Sequence, residues 1–434
     1  MLVVLVMMVS LIPSGYGTIL GSSVVKAEES VNILSKAESN ELKFRKEFGL
    51  DSSLVTVQNT IKNNEVGKYG VHLSPTEEAK LNLRIEYQEK VNSALTTILD
   101  EKLGSEYTLY IDQSNNGTYH IGVKNKGLFK LENLETLIDP LFTGEYKYRI
   151  ETISYSESDL DETVTKINEN LEYLKRQNIM VNQVYTDVIN QRVNVGVVMV
   201  TEEKKKVLEN LFGNMLNIQE AEESGNSNRA TTSSTMKGGL KITYTSNSSS
   251  YKCSVGFMVK PPNGAKFAVT AGHCYGTNYQ QGTNSIGSMV YYKNSGNTDA
   301  GMVGGGPSSV DYTGGGIYKT ASTNDKYDRT QNASEDVVGE AICMSGASSD
   351  TNSVSCGTLN SKNYSATFSG TTFTKLRKAS YTSVGGDSGG TVYGGTTLKG
   401  VNKGYSGSDG VYSHLEYVMS DLASSYGGAV HILF

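Results

Sequence analysis

The sequence contains only four cysteines among its 434 residues, and no two of them form a Cys-x-x-Cys pair. Structural zinc sites commonly use such closely spaced pairs, so we expect no metal site. The glycine-rich fingerprint of dinucleotide-binding folds is also absent, as is a cluster of basic and aromatic residues suited to nucleic acid. The sequence therefore predicts a protein without a metal, a cofactor or a nucleic-acid partner.

Apolar runs long enough to span a bilayer are also missing. Residues 1–12 are almost wholly apolar, which suits the core of a signal peptide and is too short for a membrane helix. A small-x-small cleavage site follows at residues 25–27, although no Lys or Arg precedes the apolar run. We expect residues 1–27 to be the signal peptide of a secreted, extracellular protein without a membrane partner. A start further upstream and a buried N-terminal strand or helix are the alternatives, and the abrupt change to charged sequence argues against the latter.

Composition changes near residue 230. Residues 1–229 contain 14 glycines, 24 basic and 33 acidic residues, whereas residues 230–434 contain 32 glycines, 15 basic and 12 acidic residues. The formal charges are therefore −9 and +3, so the two halves can attract each other. Residues 222–235 are polar and lack apolar periodicity, which indicates an exposed and readily cut linker. We place one module at residues 28–229 and a second at residues 230–434.

The first module has the pattern of an α+β domain. Amphipathic helices are predicted at residues 75–103, 158–177 and 202–216. A hairpin is predicted at residues 107–123, around an Asn-Asn-Gly turn, and a second strand pair at residues 185–200. No nucleophile or metal-ligand constellation occurs in this half.

The second module consists of short apolar runs separated by Gly, Asn and Ser, which favours an all-β barrel or sandwich. Strands are predicted at residues 241–245, 254–259, 267–270, 289–292, 337–344, 391–393 and 398–401. Residues 415–426 alone have a helical pattern in this half.

Two motifs in the second module nominate a nucleophile and its base. Ser388 lies within Gly-Gly-Asp-Ser-Gly-Gly, and His273 lies within Thr-Ala-Gly-His-Cys. A serine hydroxyl needs an imidazole to accept its proton and backbone N–H groups to bind the oxyanion that forms. The glycines around Ser388 allow a sharp turn that would aim the N–H groups of Gly386 and Ser388 at one point.

A third group should orient the imidazole. Asp299 opens a small apolar run between the two motifs and is the expected residue, whereas Asp311 follows a Gly-Gly-Gly-Pro loop. The Gly-x-Ser-x-Gly string around Ser388 also fits an esterase elbow, but there the serine precedes its acid and base. The observed order is His273, Asp299, Ser388, which argues against that architecture.

This order and these motifs resemble the chymotrypsin-like serine proteases, most closely the secreted bacterial branch of streptogrisins and α-lytic protease. Five elements of the last ~200 residues carry the resemblance: a Cys and Gly-Phe strand at residues 253–257, the His273 loop, the nearby Asp299, a cysteine hairpin at residues 343–357, and the Ser388 loop. The resemblance implies two six-stranded barrels, with His273 and Asp299 on the first and Ser388 on the second.

The same resemblance implies a function and a maturation route. It implies a serine endopeptidase that cleaves protein or peptide substrates through an acyl-enzyme. It also implies that residues 28–229 are a pro-region acting in cis as foldase and inhibitor, and that the mature enzyme is a monomer. The alternatives are a catalytically silent secreted binding protein that keeps the fold, and an independent N-terminal domain.

Four cysteines permit three pairings. Short sequence separations and the resemblance favour disulfides between Cys253 and Cys274 and between Cys343 and Cys356.

In the family, the residues before the serine and one later strand wall the pocket for the substrate side chain. Here these residues are Ser383, Val384, Asn402, Lys403, Gly404 and Tyr405. Residues 381–386 contain no acid, so the counter-charge for Lys or Arg is missing, and Asn402 stands where glutamate-cutting relatives carry a histidine. An apolar or aromatic preference remains by elimination.

Overall fold

The computed structural model of the chain describes residues 34–124, 131–221, 233, 235–304, 310–312, 314–319, 324–347 and 354–434. The predicted signal peptide lies outside these residues, and so does the predicted module boundary at residues 229 and 230. Residues Lys36–Phe434 form one compact unit that includes parts of both predicted modules. Within the described residues, no helix combines the length and apolar composition needed to cross a bilayer.

The N-terminal half contains both helices and strands. Its helices are α1 (Lys36–Glu47), α2 (Leu54–Asn63), α3 (Pro75–Leu103), α4 (Leu131–Ile138), α5 (Glu157–Glu169), α6 (Leu171–Arg176) and α7 (Glu202–Phe212). Its strands are β1 (Tyr107–Asp112), β2 (Thr118–Val123), β3 (Tyr148–Thr152), β4 (Val181–Asp187), β5 (Arg192–Val197) and β6 (Leu216–Glu220).

This half is built from two lobes with the same order of elements. Each lobe has a helix, an antiparallel strand pair, a helix and a third strand parallel to the second, so that α3-β1-β2-α4-β3 matches α5-β4-β5-α7-β6. The short helix α6 is an additional element between α5 and β4. A strand, helix and strand in succession produce a parallel pair because the helix carries the chain back across the sheet. The apolar faces of α3 and α5 pack on their own sheets and form separate cores.

The predicted helix at residues 75–103 is confirmed with those bounds. It begins at a capping box in which the Ser74 hydroxyl accepts from the Glu77 N–H and the Glu77 carboxylate accepts from the Ser74 N–H. The predicted hairpin at residues 107–123 is also confirmed, and Asn116 at its turn is left-handed, with φ 55°.

Two other predicted helices have the wrong extent. The segment at residues 158–177 is two helices, since the backbone departs from helical geometry at Asn170 between α5 and α6. The helix predicted to reach residue 216 ends at Phe212, because Gly213 has φ 89°, and Leu216 starts strand β6.

The C-terminal half is β-rich, as predicted. Its strands are β7 (Lys241–Ser246), β8 (Ser249–Ser254), β9 (Met258–Lys260), β10 (Phe267–Thr270), β11 (Thr277–Gln281), β12 (Asn284–Ser295), β13 (Thr298–Gly304), β14 (Gly316–Tyr318), β15 (Asn324–Lys326), β16 (Arg329–Thr330), β17 (Ala341–Ser345), β18 (Val354–Phe368), β19 (Thr371–Ala379), β20 (Thr391–Gly394), β21 (Thr397–Ser406), β22 (Asp409–His414) and β23 (His431–Ile432). Helix α8 (Leu415–Tyr426) has the predicted bounds. The strand predicted at residues 254–259 is instead the end of β8 and the start of β9, and the one predicted from residue 337 begins at Ala341.

Two large sheets organise this half. One contains β7 to β13 with β23, and the other contains β17 to β22. One core, which contains Ile242, Ala268 and Val303, packs on the first sheet, and another, which contains Ile342, Leu359 and Val392, packs on the second. A third cluster, which includes Val269 and Val401, contains residues of both sheets. Closure of each sheet into a six-stranded barrel stays a prediction.

The N-terminal half continues the second sheet. Strand β4 pairs antiparallel with β18, in the register Tyr185 to Tyr364, so β4, β5 and β6 extend the sheet to which β17 to β22 belong. Helix α1 packs on the same sheet, where Glu47 accepts hydrogen bonds from the hydroxyls of Thr358 and Ser380. The interface therefore combines backbone pairing with side-chain contacts.

Candidate active site

Strand pairing positions His273 and Asp299. His273 lies in a short 3-10 turn, Gly272–Cys274, just after β10, and Asp299 is the second residue of β13. Strands β10 and β13 are hydrogen-bonded neighbours, with Thr270 opposite Gly301. The end of one strand and the beginning of its antiparallel partner lie at the same edge of a sheet, so the two side chains meet there.

The imidazole and the carboxylate form a close pair. Nδ1 of His273 lies 2.6 Å from Oδ2 of Asp299, and the His273 backbone N–H donates to Oδ1 at 2.8 Å. The Asp299 backbone N–H donates to the Ser413 hydroxyl at 2.9 Å. Asp299 is fully buried, whereas the His273 side chain is 31% exposed. The carboxylate is thus held by its surroundings, and the imidazole remains reachable from solvent.

Opposing influences set the pKa of Asp299. Burial alone would raise this pKa, but the charges of His273 and Lys403 and their hydrogen bonds hold it well below its usual range. The carboxylate is therefore ionised at every pH at which the protein would work.

Lys403 also lies beside Asp299. Its Nζ lies 2.9 Å from Asp299 Oδ2 and 3.3 Å from His273 Nδ1, and its side chain is 6% exposed. Lys403 was predicted to lie in the wall of the substrate pocket, and its ammonium points to the carboxylate of Asp299 and the imidazole of His273. A lysine in a strand of small and apolar residues was the available signal, because a buried ammonium requires a counter-charge.

The Ser388 loop packs directly against the strand that leads to His273. A Cβ built on Gly389, whose φ is 87°, would lie 2.2 Å from Thr270 Oγ1 and 2.7 Å from the Ala271 nitrogen, so only glycine permits this approach. The Ser254 N–H donates to the Ser388 carbonyl at 2.7 Å, which fixes the loop from the other side.

The backbone donors of this loop are available for a ligand. Gly386 has φ 98°, and neither its N–H nor that of Ser388 donates to another group within the part of the chain that the structure describes. The Ser388 hydroxyl likewise makes no hydrogen bond to a described residue, and Ser388 is half-buried. These groups suit a nucleophile and an oxyanion site.

Asn402 is locked by protein contacts. Its Nδ2 donates to Ser383 Oγ at 2.9 Å and to the Asp387 carbonyl at 3.0 Å, while its Oδ1 accepts from Tyr381 OH at 2.9 Å. The remaining residues assigned to the pocket, Val384, Gly404 and Tyr405, are half-buried. Since both Nδ2 hydrogens are used, Asn402 has no donor left for a substrate carboxylate.

The cysteines form the pairs named above, Cys253 with Cys274 and Cys343 with Cys356. The first disulfide lies beside the imidazole, and one ligand atom each of Cys253, Cys274 and His273 lie within 4.8 Å of one another. Because both sulfurs are in a disulfide, this group offers no thiolates to a metal.

Two sequence relatives are known enzymes. Glutamyl endopeptidase 2 of Streptomyces griseus is 30% identical over 186 residues, which are 42% of this chain and 94% of that protein. Serine protease 1 of Streptomyces fradiae is 30% identical over 189 residues, and this match covers 49% of that protein. No family model matches the chain. The solved structure of a Nocardiopsis protease is similar over 46% of this chain, with 23% identity and a TM-score of 0.37.

These relatives define the class: the protein is a serine-type endopeptidase. It belongs to the chymotrypsin-like serine proteases, in the bacterial branch of streptogrisins and α-lytic protease.

Proposed function

We propose that the chain is the precursor of a secreted endopeptidase in which Ser388, His273 and Asp299 form the catalytic triad. The 2.6 Å contact between His273 Nδ1 and the fully buried Asp299 carboxylate carries this proposal. A carboxylate oxygen at this distance can only accept a hydrogen bond, so Nδ1 must carry the proton and donate it, which leaves Nε2 free to accept one from Ser388.

The chemistry then proceeds in two steps. The Ser388 oxygen attacks the peptide carbonyl while His273 takes the serine proton, and the N–H groups of Gly386 and Ser388 donate to the oxyanion. His273 returns the proton to the leaving amine as the peptide C–N bond breaks. Water then attacks the acyl-enzyme ester with His273 again as base, which releases the acid and restores the serine.

Substitution of the nucleophile tests this proposal. Ser388→Ala should lower kcat by about 10⁶, because the hydroxyl is the attacking group. The matched control is Ser424→Ala, an exposed serine at the end of α8, which should keep full activity. Comparable turnover by a correctly folded Ser388→Ala protein would refute the mechanism.

We also propose that the N-terminal half is a pro-region. It lacks a nucleophile motif, it carries charge opposite to that of the second half, and its strand β4 completes a sheet with β18. A β-rich domain with many non-local contacts folds slowly, so a partner that stabilises a long hairpin before the rest folds would lower the barrier. We further propose that the chain is secreted and that cleavage near residue 229 separates the pro-region from the second half.

The pocket favours substrates without a charged side chain before the cleaved bond. One relative is named a glutamyl endopeptidase, but here Asn402 has no free donor and the Lys403 ammonium is paired with Asp299. Neither residue can therefore neutralise a glutamate. We propose an apolar or aromatic preference, with Tyr405 narrowing the pocket.

A further inference from the structure

Lys403 occupies an irregular position in strand β21. Asn402 pairs with Tyr412 and Gly404 pairs with Val411, so Lys403 is the extra residue of a β-bulge. A bulge rotates its extra side chain away from the regular alternation of the strand. Here that rotation carries the ammonium to Asp299 and His273.

Two aromatic rings hold the same ammonium from its other side. Nζ lies 4.6 Å from the ring centroid of Phe373 and 5.1 Å from that of Phe368. These residues flank the tip of the hairpin formed by β18 and β19, and Thr374 N–H donates to the Gly296 carbonyl at 2.7 Å. Gly296 lies between β12 and β13, just before Asp299, so the hairpin tip supports both the cation and the carboxylate.

The geometry restricts which protons the site can hold. An ammonium has no lone pair and can only donate, so Lys403 satisfies Asp299 Oδ2 without competing for the Nδ1 proton of His273. A positive charge 3.3 Å from Nδ1 also disfavours a second positive charge on the imidazole. Among the described residues, Asp299 is the carboxylate paired with Lys403, and the two rings of the hairpin are uncharged.

We propose that Lys403 is a positioning residue for the catalytic triad, whose ammonium holds the Asp299 carboxylate in place and sets a fixed positive charge beside Nδ1 of His273. This inference rests on the proposed triad of His273, Asp299 and Ser388. Its ammonium contacts Asp299 and His273, and the proposed role acts through these two partners. The Phe368 and Phe373 rings are the socket that holds it.

The pH dependence of kcat/KM tests this role. In protein produced from the full chain, Lys403→Met should move the acidic limb of the profile upward by about one pH unit, because an imidazolium no longer faces a cation. Activity should then fall about tenfold on the acid side and much less at alkaline pH, with KM little changed. Lys403→Arg keeps a cation and should restore most of the shift.

The matched control is Lys378→Met. Lys378 is also buried, pairs with Asp409 at 3.4 Å and lies 4.4 Å from the Tyr185 ring centroid. Among the residues that the structure describes, none of its contacts is with His273, Asp299 or Ser388. Lys378→Met should lose only packing, so its activity should fall by the same factor at all pH values. The acidic limb of its pH profile should stay where it is in the parent protein.

A second variant leaves Lys403 itself unchanged. Phe373→Leu removes one ring of the socket and should shift the acidic limb in the same direction by a smaller amount. This variant tests the proposal if Lys403→Met does not fold. An unshifted limb in Lys403→Met, or in Phe373→Leu where only that variant folds, overturns the inference. Labelling of Ser388 by a fluorophosphonate in the same samples shows whether the triad is still active. Loss of labelling in the parent protein would mean that the proposed triad is wrong, whereas retained labelling with an unshifted limb would mean that only the role of Lys403 is wrong.

Discussion

Tyr185 and Tyr364 lie directly opposite each other where strand β4 of the N-terminal half pairs with strand β18 of the C-terminal half, and their ring centroids are 5.6 Å apart. Gln183 Oε1, also on β4, accepts from Tyr364 OH on β18 at 3.1 Å and from Ser406 Oγ at the end of β21 at 2.7 Å. The two halves thus share one sheet and a set of buried polar contacts. These contacts are the physical basis of the proposal that the N-terminal half is a pro-region.

When the two halves are produced separately, folding of the second half should depend on the first. Residues 230–434 alone should refold poorly, and adding residues 28–229 in trans should restore activity and then inhibit it in excess. Gln183→Ala removes two hydrogen bonds across the interface and should weaken inhibition by about tenfold. Gln177→Ala, an exposed residue of the same lobe, is the control. Full unaided refolding of the second half, with no binding by the first, would show that the N-terminal half has another function.

Asp161 should make the stability of the full chain depend on pH. Burial, followed by repulsion from Glu157, raises the pKa of Asp161 to about 6, although Asn363 of the other half donates to it at 3.0 Å. A raised carboxyl pKa means that the folded state binds the proton more tightly, so stability falls as pH rises from about 4 to about 6. Asp161→Asn should therefore raise the free energy of unfolding at pH 7.5 by up to about 2 kcal/mol and flatten this dependence.

Urea denaturation at pH 4.5 and pH 7.5 measures this effect, with each variant made in the full-length chain that also carries Ser388→Ala. Glu169→Gln, an exposed carboxylate of the same helix α5, is the control and should change stability by only a few tenths of a kcal/mol. An Asp161→Asn protein that is no more stable at pH 7.5 than its parent would exclude the predicted penalty.

Gly389 should tolerate no side chain. Its φ of 87° and the 2.2 Å approach of a Cβ to Thr270 Oγ1 mean that Gly389→Ala must move the Ser388 loop away from the His273 strand. We expect at least about a hundredfold loss of kcat/KM, as for other misplacements of about 1 Å. Gly427→Ala separates clash from backbone strain, because Gly427 has φ 79° and open space around it. Equal activity of the two variants would contradict this assignment.

Substrate preference should follow from the occupied donors of Asn402. In a peptide library, Phe, Tyr or Leu before the cleaved bond should give the highest kcat/KM, and Glu and Lys the lowest. A charged side chain buried without a partner costs several kcal/mol, which converts to at least about a hundredfold discrimination. Preferential cleavage after Glu would show that another residue supplies the counter-charge.

Local sequence signals predicted the elements that local interactions determine. Helix α3 has its own capping box, and α8 carries an amphipathic pattern that ends at Gly427, so both helices have the predicted bounds. By contrast, the apolar pattern does not indicate the break at Asn170, because it continues through the residues on both sides of it. The β4 to β18 pairing joins residues about 180 positions apart, and a pairing of such long range leaves no local signature.

The same distinction applies to the site. His273, Asp299 and Ser388 were identifiable because short motifs surround the histidine and the serine. The role proposed for the Lys403 side chain was not, because it depends on a bulge at residues 402–404 and on rings from a distant hairpin. Chemistry carried by one loop can be read from sequence, whereas chemistry assembled from several strands requires the fold.

The most direct test of the triad is the position of a covalent label. A fluorophosphonate reacts only with a serine activated by a base, so peptide mass spectrometry of the labelled mature protein should find the adduct on Ser388 alone. His273→Ala should abolish this adduct while leaving the protein folded. An adduct on another residue, or equal labelling of Ser388 in the His273→Ala protein, would contradict the account.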